Sequence, residues 1–136
     1  MIKDRIAFIA HDGKKADMVA FVLRNKDIIE SLGLEIMTTN TTGKHIERAG
    51  FNVKRYASGP MGGDAQIASR IVEGKVKMVF FFRDPLGRHP HDVDVSMLLR
   101  ICDVHNIPLA TNPDSAELML KGMLADNNNN NNKRNN

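Results

Sequence analysis

The stretch Ser58-Gly59-Pro60-Met61-Gly62-Gly63-Asp64 separates a strand-like run, Asn52 to Ala57, from a helix-like one, Ala65 to Gly74. Three glycines and a proline in seven residues exclude regular helix or strand here. What remains is a tight turn from a strand into a helix, the repeating joint of an α/β protein. Such a turn presents main-chain N–H groups to an anion, with Asp64 at the helix start. Two readings follow from the stretch alone. Either the glycines only turn the chain and Asp64 caps the helix, or the turn holds a ligand that Asp64 faces.

Upstream, Ile6-Ala7-Phe8-Ile9-Ala10 is a continuous apolar run, the pattern of a strand buried on both faces. His11-Asp12-Gly13 ends it. Val19, Val22 and Leu23 then recur at three- and four-residue spacing and predict an amphipathic helix from about Lys14 to Ser31. Gly33 breaks that helix, and Leu34 to Thr38 reads as a second strand. Thr39-Asn40-Thr41-Thr42-Gly43 opens a short helix through Ala49, and Asn52 to Ala57 is the third strand.

Downstream, Met78-Val79-Phe80-Phe81-Phe82 is the fourth and most apolar strand, which places it centrally. After a loop from Arg83 to Asp92, Val95, Leu98, Leu99 and Cys102 mark a helix at i, i+3, i+4, i+7. Pro108 to Thr111 is the fifth strand. Asn112 is expected to cap a last helix with Pro113 at its first position and Ala116, Met119, Leu120 and Met123 on its buried face. The expected fold is α/β: a single three-layer domain with a five-stranded parallel sheet, order 3-2-1-4-5, and helices on both faces. It occupies residues 1–125. Residues 126–136 carry the homopolymer Asn127 to Asn132 and read as a disordered, asparagine-rich tail, with too little apolar surface to order itself.

Composition narrows the function classes. At 136 residues, 42% hydrophobic and 26% charged, the chain is an ordinary globular domain. A net charge of +3, one tyrosine and no tryptophan offer neither a basic surface nor a stacking platform for nucleic acid. The single cysteine, Cys102, excludes an intramolecular disulfide and sits at helical spacing, a buried structural thiol rather than a nucleophile. The first apolar run is too short for a signal peptide or a membrane span. The expectation is a cytoplasmic protein with no membrane partner.

Ligands of open parallel sheets bind beyond the carboxyl ends of the strands, and polar or glycine-rich residues follow all five. They are His11, Asp12 and Lys15; Thr39 to Gly43; Ser58 to Asp64; Asp84 to Asp94; and Thr111-Asn112. Thr41-Thr42-Gly43 with Lys15 and Ser58-Gly59 suits a phosphate cradle at a helix N-terminus, against a threonine cap and a solvated lysine. Arg88-His89-Pro90-His91-Asp92-Val93-Asp94 concentrates imidazole and carboxylate. Three readings stay open there: a divalent-metal site without a recognised ligand spacing, a helix cap, or an acid–base set of His91 and Asp94 with Asp64.

The chain resembles the methylglyoxal synthases, lyases that convert dihydroxyacetone phosphate into methylglyoxal and inorganic phosphate. The resemblance rests on Ala10-His11-Asp12, Thr41-Thr42-Gly43, Ser58 to Asp64, Phe81-Phe82-Arg83-Asp84-Pro85-Leu86, Pro90-His91-Asp92-Val93-Asp94 and Ile107 to Asn112. These run in family order over about residues 5 to 124. The resemblance implies that Asp64 is the general base, that His91 serves the enediol oxygens and that Asp94 is its carboxylate neighbour. It implies that His11 and Asp12 line the site, and that Lys15, Thr39, Thr41, Thr42, Ser58 and Gly59 hold the phosphate end of the substrate. It further implies no metal, no cofactor and a homohexamer. In two places this chain departs from the family: Asn40 stands where members usually carry glycine, and the asparagine tract replaces a C-terminal arginine that reaches a neighbouring subunit's phosphate. The alternative is a phosphometabolite-sensing module like the allosteric domain of carbamoyl-phosphate synthetase. A related domain of inosine-monophosphate cyclohydrolase would need a nucleotide-sized pocket and a second domain.

Overall fold

The structure is a computed structural model and describes residues 2–87 and 92–135. Strands β1 (Arg5–Ala10), β2 (Glu35–Thr38), β3 (Lys54–Arg55), β4 (Val76–Phe82) and β5 (Leu109–Ala110) form one parallel sheet. Their order is β3-β2-β1-β4-β5, as expected from the sequence. Helices α1 (Lys15–Arg24), α2 (Lys26–Ser31), α3 (Asn40–Arg48), α4 (Gly63–Val72), α5 (Asp92–Val104) and α6 (Pro113–Asn135) provide the crossovers.

Beta geometry explains why β1 and β4 need unbroken apolar runs. Successive side chains point to opposite faces, and both faces are covered. Phe8, Phe80 and Phe82 pack with Met18 and Phe21 of α1 and Leu120 of α6. Ala7, Ile9, Val79 and Phe81 pack with Ile67 and Ile71 of α4 and Leu98 and Cys102 of α5. Phe8 and Phe80 are cross-strand partners, and their rings stack with centroids 5.1 Å apart. Phe21, Phe80 and Phe82 are each at most 1% exposed, and burying a phenylalanine contributes on the order of 2–3 kcal/mol.

Four local differences from the sequence expectation have physical causes. The single helix expected to Ser31 is two, broken at Asn25. The Asn25 side-chain amide donates to the Phe21 carbonyl and to Glu117 of α6, both at 2.9 Å, so a tertiary contact holds the break. β3 is shorter than Asn52 to Ala57 because, at the sheet edge, only Lys54 and Arg55 pair with Met37 and Thr38. Asn40 is the first residue of α3 and does not adopt positive φ, so its turn makes no demand for glycine. Finally, α6 runs through the asparagine tract to Asn135, where composition predicts disorder. No buried residue follows Met123 among those whose exposure is described, so residues 124–130 have main-chain hydrogen bonds without core packing.

The α6 cap and the buried cysteine match the sequence expectation. Pro113 opens α6, and the Asn112 side-chain oxygen accepts the Ser115 N–H at 3.0 Å, a regular cap. Cys102 is buried and free. Among the described residues no helix is long and apolar enough to cross a membrane.

Candidate active site

The chain leaves β1 toward β2 on one side and β4 toward β5 on the other, which opens a crevice at their carboxyl ends. A cavity of about 390 Å³ occupies that crevice. Its wall joins three segments far apart in sequence: the end of β1 with the turn after it, the N-terminus of α3, and the glycine-rich turn before α4. Phe81, Asp84 and Gly87, from β4 and its following loop, complete it.

The β1 segment contributes His11, Asp12 and Lys15. The His11 main-chain N–H donates to the Phe82 carbonyl at 3.1 Å, continuing the β1–β4 pairing one residue past the strand. Its imidazole is 6% exposed and stands edge-on to the Phe81 ring, 5.2 Å between centroids. The chain then forms a single 3₁₀ turn, Asp12–Lys14, before α1 begins. This turn brings the Lys15 ammonium back over the strand end. It donates to the Ala10 carbonyl at 3.0 Å and pairs with Asp12 at 2.7 Å. A lysine held on a main-chain oxygen is a fixed positive charge rather than a waving one.

The α3 segment presents two different kinds of threonine. Thr39 is the extended residue before the helix, and Thr41 sits in its first turn; both line the cavity. The first intrahelical bond runs from the Gly43 N–H to the Thr39 carbonyl at 2.8 Å. The earlier amides of the turn therefore have no acceptor within the helix, the usual condition for anion binding at a helix start. Thr42 is different. Its hydroxyl exchanges hydrogen bonds with the main chain of Ala10, at 3.3 and 3.4 Å, and is 1% exposed. It does not line the cavity; its hydroxyl ties α3 to β1.

The glycine-rich turn delivers Asp64. Gly62 is the residue before α4 and has φ of 104°, a left-handed conformation that favours glycine. Asp64 is thus the second residue of α4, and the cap position is held by Gly62. The capping reading of the sequence is set aside on that geometry. Asp64 is 1% exposed yet lines the cavity, a carboxylate at its floor. Gly59 passes directly over it: a Cβ built there would lie 3.3 and 3.4 Å from the two carboxylate oxygens. Gly63 has no room for a side chain at all, since a Cβ there would run into the Ala57 carbonyl oxygen.

Comparison with known proteins identifies the family. The MGS-like domain model matches residues 17–111. The chain is 56% identical over 118 residues to the methylglyoxal synthase of Clostridium botulinum (strain Alaska E43), covering 86% of this chain and 98% of that one. The chain belongs to the methylglyoxal synthase family. A methylglyoxal synthase of Borrelia garinii subsp. bavariensis is 50% identical over 122 residues, 89% of this chain and 95% of that one. The crystal structure of methylglyoxal synthase from Elizabethkingia anophelis NUHP1 superposes with a TM-score of 0.80 at 40% identity, covering 87% of this chain and 77% of that one.

Of the residues singled out by sequence, the fold brings eight to one cavity: Asp64, His11, Asp12, Lys15, Thr39, Thr41, Ser58 and Gly59. His91 lies outside the described residues. Asp94 falls in the first turn of α5, and its side chain is likewise outside the description. Asp84, which the sequence named only as part of the loop after strand four and of a family motif, received no role there. It follows β4, lines the same cavity, and its main-chain N–H donates to His11 Nδ1 at 3.1 Å. An aspartate before a proline reads as a turn former, and nothing local connects it to a histidine 73 positions earlier. Among the described residues no group of three or more His, Cys, Asp or Glu side chains is placed to hold a metal ion.

Proposed function

We propose that the chain converts dihydroxyacetone phosphate into methylglyoxal and inorganic phosphate. The observation that carries this is Asp64: a carboxylate buried at the floor of a cavity whose rim offers hydroxyls, first-turn amides and one tethered lysine. Its setting in a chain 56% identical to a methylglyoxal synthase supports the same reaction.

Lys15, Thr39, Thr41 and the Ser58–Gly59 segment take the phosphate, with the α3 N-terminus adding amides. Asp64 then removes a proton from the hydroxymethyl carbon beside the ketone. The electrons of that C–H bond form a carbon–carbon double bond, and the ketone oxygen becomes an enediolate stabilised by nearby donors. His91 moves protons between the two enediol oxygens, with Asp94 beside it. Loss of the terminal enediol proton restores an aldehyde, shifts the double bond and breaks the C–O bond to phosphate. The enol so released becomes methylglyoxal. No water is consumed. Neutral hydroxyls and amides suit a group that must be gripped and then released.

The assembly belongs to the same reading: a homohexamer. Met61, 79% exposed, and Leu86, 94% exposed, lie on the loops that border the cavity and suit subunit contacts there. Light scattering after size exclusion measures the assembly, and a monomer at micromolar concentration would refute it.

Incubation with dihydroxyacetone phosphate, with and without a chelator, tests the reaction. Equal release of methylglyoxal and phosphate in both is expected. No product in either would indicate a sensing module that binds phosphometabolites without turnover. Asp64→Asn is expected to lower kcat by about 10²- to 10⁴-fold, the range of a lost general base, while binding is largely retained. Normal turnover in that variant would reassign the base.

A further inference from the structure

We propose that Asp84 is a positioning residue that holds His11 as a neutral imidazole with its proton on Nε2. The inference starts from direction. The Asp84 main-chain N–H donates to His11 Nδ1 at 3.1 Å, and a main-chain amide only donates. Nδ1 must therefore offer a lone pair, so a neutral His11 carries its proton on Nε2. A proton on Nδ1 would set two N–H groups against each other in a site where the ring is 6% exposed.

The Asp84 side chain holds that amide in place. Its Oδ1 accepts the N–H groups of Leu86 and Gly87, each at 3.1 Å, which folds the loop after β4 back on its own carboxylate. Gly13 leaves space for the arrangement: a Cβ there would lie 2.6 Å from Asp84 Oδ2. On the other side, Phe81 sets the ring plane and the His11 N–H to Phe82 carbonyl bond sets its main chain. His11 is thereby held from its main chain, from its Nδ1 edge and across the Phe81 ring.

The consequence concerns roles. An imidazole already protonated on Nε2, with Nδ1 occupied by an amide, has no lone pair with which to act as the base. His11 serves as a hydrogen-bond donor, and the carbon acid is left to Asp64. This last step rests on the reaction proposed above; the tautomer itself does not.

Nitrogen-15 NMR of histidine-labelled protein without substrate tests the tautomer directly, with His11 assigned by the signals lost in His11→Gln. The expected pattern is an unprotonated Nδ1 and a protonated Nε2 at neutral pH. A protonated Nδ1, as the other tautomer or as imidazolium, overturns the proposal whether or not the protein turns over dihydroxyacetone phosphate. Kinetics separate positioning from charge. Asp84→Asn keeps an oxygen acceptor for Leu86 and Gly87 and is expected to keep the wild-type tautomer and to lose less kcat than Asp84→Ala. Asp84→Ala loses the acceptor and is expected to mix tautomers and lower kcat roughly ten- to a hundredfold, the scale of lost outer-sphere orienting contacts. Equal losses in both variants would make the carboxylate's charge, not its fold-back, the feature that matters. If Asp84→Ala does not fold, Asp84→Asn and the wild-type spectrum still decide the question.

Discussion

Replacing Gly63 by alanine sets two effects of known size against each other. Gly63 is the first residue of α4 and does not have positive φ. On propensity alone, Gly→Ala within a helix stabilises by about 1 kcal/mol. The surroundings oppose this. The new Cβ would run into the Ala57 carbonyl oxygen, with the Ala57 carbonyl carbon at 2.8 Å and the Ser58 carbonyl oxygen at 3.0 Å, where ordinary contact is 3.4–4 Å. All three are main-chain atoms, so no side chain can swing aside. The Ser58 carbonyl also accepts from Met61 and Gly63, at 3.0 and 2.9 Å, and moving it weakens both bonds. Overpacking costs roughly 1–3 kcal/mol, and two weakened hydrogen bonds add about 1 kcal/mol. The clash wins, for a net destabilisation of about 1–3 kcal/mol. Because the displaced peptide carries Ser58 and Gly59, kcat/KM should fall as well. Gly122 provides the control: it lies in α6, lacks positive φ, and a Cβ there meets nothing within 4 Å. Gly122→Ala should therefore stabilise by about 0.5–1 kcal/mol. Urea unfolding at matched protein concentration, with phosphate release assayed on the same samples, measures both. A Gly63→Ala protein as stable as wild type, or more so, would refute the reasoning.

Three further outcomes follow from the geometry. Burial raises the Glu117 pKa, but hydrogen bonds from Asn25 and Arg24 outweigh it and hold the carboxyl below 4.5 when folded. Its stabilisation is thus present above that value and lost as pH falls through the folded pKa. Glu117→Gln should cost roughly 1 kcal/mol at pH 7, with the gap closing in acid; a gap that widens in acid contradicts the sign. Thr42→Val removes the hydroxyl that bonds the Ala10 main chain and accepts from the Thr39 hydroxyl at 3.3 Å, and should cost about 1–2 kcal/mol with KM raised less than about twofold. A raised KM at unchanged stability would return that hydroxyl to the phosphate. Burial, with Asp103 adding, pushes the Cys102 thiol up to about 11. Maleimide should label it only after unfolding, and rapid stoichiometric labelling of the native protein would contradict its packing.

Periodicity reaches as far as the sheet and no further. The runs Ile6 to Ala10 and Met78 to Phe82 predicted central strands because only a strand covered on both faces lacks polar positions, and β1 and β4 are those strands. The rule that ligands bind beyond the carboxyl ends of strands then pointed to the segments after all five, and the crevice lies at the ends of β1 and β4. What sequence could not supply were contacts that skip along the chain. The break at Asn25 depends on Glu117, 92 positions away, and the orientation of His11 depends on a main-chain amide 73 positions away. Neither leaves a local pattern. Thr41 and Thr42 show the same limit at closer range. Adjacent residues of one type have different surroundings, because α3 turns one toward the cavity and the other toward Ala10.

The glycines of the turn after β3 gain a sharper meaning from Asp64. A turn alone would need glycine only at Gly62, where φ is 104°. Gly59 and Gly63 answer to space instead. The absence of a side chain at Gly63 lets the start of α4 press against the Ala57 carbonyl, and its absence at Gly59 lets the main chain close over the carboxylate. Main chain therefore lies directly against the Asp64 carboxylate at Gly59, and main chain brings amides where an apolar lid would bring none. A carboxylate covered in this way is shielded from bulk water yet stays beside groups that can bind an anion. That combination suits the proton abstraction proposed for Asp64, from the carbon beside the ketone, since a base must stay close to the substrate while the phosphate's negative charges are held elsewhere.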